Sequence, residues 1–169
     1  MKLRRKARIA VLQALYEADM AHHPAGTALE QRFKTQPLSP QAEAFARHLL
    51  AGVIGHRKQL NELIVRYAPE WPLDQMAVID RNILRIAIYE LVEAETDTPI
   101  KVAINEAVEV AKSFGSDSSP RFVNGVLGTM LADSPRPELG ELLPDDGTIP
   151  LTPEPIKTLE PVSKDADTP

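Results

Sequence analysis

At 169 residues, with no cysteine and no run near the roughly 20 apolar residues of a membrane span, the chain is sized for one ordinary domain without disulfides or thiolate metal sites. Absence of cysteine fits a reducing cytoplasm, and Arg8, Gln13, Glu17 and Asp19 interrupt the apolar residues of the basic N-terminus, against a secretory signal. The net charge of −5 is uneven: residues 1–16 carry +5, residues 138–169 carry −6 and residues 1–137 carry +1, an asymmetry that points to nucleic acid.

Ala, Leu, Ile and Val outnumber aromatics, which favours helices. An amphipathic helix is predicted over 2–20, where Ile9, Leu12, Leu15 and Tyr16 recur at helical spacing and Tyr16 reads as core. Lys2, Arg4, Arg5, Lys6 and Arg8 crowd its first two turns. Cations there oppose the helix dipole, at about a few tenths of a kcal/mol each, so stability alone does not place them. A polyanion-binding role is expected instead. His22 and His23, adjacent on a loop without a carboxylate cluster, read as surface residues and not as metal ligands. A short helix over 27–34 follows. Ser39 then caps one long helix with Pro40 at its first position. That helix is expected to run through Phe45, Leu49, Val53, Leu60 and Ile64 to Tyr67, loosened by Gly52 and Gly55, with His48 and His56 at the surface or an interface.

Pro69-Glu70-Trp71-Pro72 breaks the chain. Residues 73–93 form the most hydrophobic helix, the expected centre of the core, with a short turn before Met76. Arg81, Asn82, Arg85, Tyr89 and Glu93 share its polar arc, while Asp80 falls in the apolar sector. A buried carboxylate needs a partner, either an arginine of this domain or another protein at an uncovered edge.

Two helices joined by a polar loop are predicted over 101–131. Ala103, Ala107, Val110 and Ala111 form the stripe of the first, and Gly115 is its expected left-handed stop. Ser119 and Pro120 start the second, which carries Phe122, Val123, Val126, Leu127, Met130 and Leu131. Gly125 and Gly128 each cost that helix roughly 1 kcal/mol relative to alanine, which implies close backbone approach to a neighbouring helix or a ligand. From Pro135 on, eight of the fifteen prolines lie among acids without periodicity, so a helical domain over 1–134 and a disordered acidic tail over 135–169 are expected.

No phosphate-binding loop, dinucleotide fingerprint, zinc-protease motif or nucleophile elbow occurs. Glu106 and Glu109 share a helix, with no histidine near them in sequence, and read as a solvated face. A binding module explains the chain better than an enzyme.

RRKARIAVLQALY (4–16), IDRNILRIAIYEL (79–91), KVAINEAVEVAKSFG (101–115) and RFVNGVLG (121–128) together resemble the NusB family of bacterial transcription antitermination factors. The resemblance implies an all-α fold of about seven helices in two packed subdomains. It also implies a partner, the ribosomal protein NusE, and joint binding of single-stranded boxA RNA within the RNA polymerase antitermination complex, without catalysis or a cofactor. Carried over by position, Lys2, Arg4, Arg5, Lys6 and Arg8, with Ser118, Arg121 and Phe122, should meet RNA. Asp80, Arg81, Leu84 and Arg85 should face NusE. Ser118 stands where members often carry an acid, so a charge that repels RNA is missing here. Cations on phosphate and Phe122 stacked on a base would suit a single strand. A homodimer seamed by Leu12 or Leu15 is a further candidate. Two rivals remain. A helix-turn-helix over 104–131 has too long a connection and only Arg121 to read bases. An RNA-binding module of a cytosine methyltransferase would need a catalytic domain and a cysteine that this chain lacks.

Overall fold

The computed structural model describes residues 2–93 and 96–133, so the acidic segment 135–169 and the disorder expected of it lie outside the described residues. Apolar spacing builds α1 (Lys2–Ala21), which ends where His22 turns to a φ of 56°. Pro24 leads into α2 (Ala25–Thr35). Ser39 caps α3 (Pro40–Gly55) as expected, its hydroxyl accepting the Ala42 N–H at 3.2 Å.

The single helix expected over 40–67 is two. Gly55 ends α3, His56 leaves helical geometry at φ −116° and ψ 21°, and α4 (Arg57–Tyr67) begins at once. Gly52 lies one turn before the break. A Cβ there would lie 1.9 Å from the buried Tyr89 ring, so only glycine lets that ring sit on the helix. The Gly52 carbonyl also receives the His56 backbone N–H at 3.0 Å and faces His56 Nδ1 at 2.9 Å. His56 is therefore buried, 3% exposed, and its ring stacks on Tyr89, with the half-buried His48 ring on a second side.

A 3-10 turn (Leu73–Gln75) precedes α5 (Val78–Val92), which is buried almost all round. Its polar arc does not face water. Asn82, Arg85 and Tyr89 are each 3% exposed or less because α1, α3 and α4 cover that side. The helices α1–α3 pack together, α4–α7 form a second group, and α5 joins the two by packing on α1 and α3. One continuous apolar core runs through both groups.

Helices α6 (Ile100–Phe114) and α7 (Ser119–Asp133) form a hairpin. Ala103, Ala107, Val110 and Ala111 are buried, as their spacing predicts. Gly115 is not a left-handed stop: it is extended, at φ −90° and ψ −173°. Its small size matters instead, since a Cβ would lie 2.4 Å from the Ser119 side chain. The Ser119 hydroxyl turns back to accept the Ser116 N–H at 2.9 Å and so ties the loop, while the Ser118 carbonyl accepts the first helical N–H, from Phe122, at 3.0 Å.

Nor do Gly125 and Gly128 seat α7 on a neighbour. Both are exposed, and a Cβ at either meets nothing within 4 Å. Replacing each by alanine should therefore stabilise the chain by about 0.4–1 kcal/mol, through helix propensity and a less disordered unfolded state. Thermal melts of Gly125→Ala and Gly128→Ala check this. A lowered midpoint in both would mean that the open space is occupied in solution.

Candidate nucleic-acid interface

The five cations of α1 do not form one solvent-facing patch. Arg8 lies on the apolar stripe, four residues before Leu12 and seven before Leu15, and is 3% exposed. Its Nε and Nη2 each donate to Glu90 of α5 at 2.8 Å, with both side chains nearly dry. Arg8 thus ties α1 to α5 and does not reach a ligand from this position. Arg5, one turn earlier, donates through Nε and Nη2 to Glu106 of α6 at 2.8 and 2.9 Å. Those hydrogen bonds from Arg5, against the opposing effect of burial, hold the Glu106 carboxyl below the usual carboxylate range, with the Arg5 and Arg8 charges helping. Glu106 is 1% exposed, so the solvated carboxylate pair expected on α6 is only half right: Glu109 is partly exposed and bonds Lys112 at 2.9 Å.

Arg4 reaches the segment leading into α6, where Nη1 donates to the Thr96 carbonyl at 2.8 Å, and its guanidinium lies 4.5 Å from the centre of the Phe45 ring. Lys2 and Lys6 are exposed and make no ion pair among the described residues. Lys2, Lys6, the outer face of Arg4 and half of Arg5 therefore make the open basic surface.

From Glu106, α6 runs eight residues, roughly 12 Å at 1.5 Å per residue, to Phe114. Beyond lie Ser118 and Arg121, both exposed, and Phe122, which is partly buried against the core. Phe114 itself is 37% exposed at the mouth of this loop. It was not among the expected contacts, although the end of a helix beside a polar loop is where an aromatic face stays open. Arg5 thus meets α6 at Glu106, and an exposed aromatic ring, Phe114, ends the same helix; cations and an aromatic face are groups able to hold phosphates and stack a base.

The sequence profile of the NusB family matches residues 5–132. The chain belongs to the NusB family. It is 49% identical over 129 residues to the Transcription antitermination protein NusB of Chloroflexus aggregans, covering 76% of this chain and 86% of that protein. Among solved structures, T. maritima NusB is 36% identical with a TM-score of 0.71, covering 77% of this chain and 91% of that one. A chain of the complex of antitermination factors NusB and NusE with dsRNA has the same fold, with a TM-score of 0.71 at 21% identity over 79% of this chain and 98% of that one. The seven α-helices among the described residues agree with that fold, as the family resemblance implied.

The four residues expected to face NusE are not equally placed in this NusB-family chain. Leu84 is 0% and Arg85 3% exposed, beneath the surface of the central helix. Arg85 donates to Asn61 and Asn82 at 2.8 Å each, and burial, then the Arg57 charge, pushes its guanidinium down to about 10. Arg81 stays partly open and approaches Asp19 of α1 at 3.5 Å. Asp19 collects Asn82 at 3.0 Å and Arg57 at 3.1 Å as well; burial opposes its ionisation, but these partners hold it below the usual carboxylate range. Among the described residues Asp80 pairs with no arginine. One of its oxygens is buried without a hydrogen bond among the described residues, at the first turn of α5 where the helix dipole favours an acid. Near Asp19 on α1, Tyr16 is 40% and Met20 55% exposed, so Tyr16 is surface and not the core residue expected. Leu12 and Leu15, the seam imagined for a dimer, are buried in their own chain at 0% and 5% exposure.

Proposed function

We propose that this chain is a transcription antitermination factor. With the ribosomal protein NusE it binds single-stranded boxA RNA in the nascent transcript and supports processive transcription of ribosomal RNA operons. The observation that carries this reading is the open basic surface of α1, where Arg5 is joined to α6 at Glu106, Arg4 to the segment before α6, and Lys2 and Lys6 are exposed; Ser118, Arg121, Phe114 and Phe122 stand at the far end of α6. RNA would run between these two ends, with Ser118 offering a hydroxyl where a carboxylate would repel it. NusE would meet Arg81, which stays partly open, while Asp80, Leu84 and Arg85 lie beneath that surface and hold it in place. This reading assigns the chain no catalysis, no cofactor and a cytoplasmic place. Among the described residues no helix is long and apolar enough to cross a membrane.

A titration of boxA RNA against salt tests the reading. For a single strand, log K should fall with log salt at about 0.7 per phosphate contact, so the open cations of α1 should give a slope of roughly 2–3. A flat dependence would sink the assignment of the basic helix. Capture of NusE by the full chain, with and without this RNA, tests the partner; loss of capture by Arg81→Glu is the expected result.

A further inference from the structure

The way Arg5 is held matters as much as its charge. Glu106 takes one edge of the guanidinium, Nε to Oε2 at 2.8 Å and Nη2 to Oε1 at 2.9 Å, which leaves Nη1 and the outer hydrogen of Nη2 unused. The arginine side chain is 42% exposed and the carboxylate 1%. The clamp is itself fixed, because Glu106 rides on the α6 stripe between Ala103 and Val110 and has Arg8 Nη1 at 3.8 Å behind it. An arginine gripped on one edge has its rotamer already chosen, so a phosphate arriving at the other edge orders little further.

Building on the RNA-binding reading above, we propose that Glu106 is a positioning residue of the RNA surface, presenting the outer edge of Arg5 to one phosphate of the bound strand. Simple charge counting demands the opposite, because a carboxylate close to a phosphate should weaken binding and its removal should help. The two accounts differ in sign. Glutamine at this position keeps the shape but faces Arg5 with an amide that cannot accept both N–H groups.

The test uses the full chain and a single-stranded RNA carrying boxA, titrated at several salt concentrations. Glu106→Gln should weaken binding about 5- to 10-fold at fixed salt with its salt slope unchanged, since the contact survives but is no longer prearranged. Arg5→Ala should weaken binding at least as much and lower the slope by about 0.7. In the Arg5→Ala background, Glu106→Gln should then have no further effect. Unchanged or tighter binding by Glu106→Gln, or additive losses in the double variant, would overturn the proposal. Arg5→Lys covers the case in which Glu106→Gln does not fold: it keeps the charge but not the two-point grip, so it too should lose several-fold at constant slope. Wild-type affinity for Arg5→Lys would reject the clamp. If the wild-type chain itself shows no salt-dependent RNA binding, the functional reading fails and the proposal falls with it. If the wild type binds and only the coupling is missing, the clamp alone is wrong.

Discussion

Gly52→Ala should lose more than about 3 kcal/mol of stability, beyond the usual 1–3 kcal/mol of an overpacked core site. The new methyl would lie 1.9–2.4 Å from three atoms of the Tyr89 ring. That ring is 2% exposed and lies against His48 and His56, so it has nowhere to swing. Urea denaturation gives the readout, as a shift of the midpoint at constant slope. Space restored by Tyr89→Leu should make the pair far less than additive, because the clash exists only when both side chains are present. A midpoint within error of wild type would show that the α3–α4 junction yields more readily than its packing implies.

Glu90→Ala should cost about 3–5 kcal/mol, because it strands the Arg8 guanidinium in the core without its two hydrogen bonds. Removing both partners is a different experiment. Arg8→Met with Glu90→Leu takes both charges out of a dry site, and such exchanges range from neutral to stabilising. Chemical denaturation of the single and double variants separates the two cases. The double variant also decides what Arg8 does. If it is a tie between α1 and α5 that also backs Glu106, the salt slope stays where it was even if affinity falls; a slope lower by about 0.7 would mean that a phosphate reaches it after all.

The helices themselves were legible because each carries an apolar stripe and most have readable ends: Ser39-Pro40 starts α3 and Gly115 closes α6. The buried ion pairs were not. Arg8 and Glu90 are 82 residues apart, and Arg5 and Glu106 are 101 apart, so nothing local says which charges meet. A signal was present all the same. Arg8 stands in register with Leu12 and Leu15, Glu90 seven residues after Ile83, and Glu106 three after Ala103, each a charge on a core-facing stripe. The same test singled out Asp80, and it works wherever a stripe is otherwise unbroken. The need for glycine at position 52 escaped because it comes from Tyr89, a ring of another helix that only the assembled fold brings there. The two glycines of α7 misled for a related reason: their cost to a helix is local, but whether anything approaches them is not.

Pairing also changes how the molecule is first met by a ligand. Of the five positive charges on α1, those of Arg8 and Arg5 stand against the buried carboxylates Glu90 and Glu106, which leaves about three uncompensated at distances beyond a few ångströms. An approaching polyanion is therefore drawn by a field narrower than the sequence suggests, centred on Lys2, Lys6 and Arg4. Association should accelerate only modestly as salt is lowered, toward the bottom of the 10- to 1,000-fold range open to steered encounters. Discrimination among RNAs would then reside in how long each complex lasts, and not in how fast it forms.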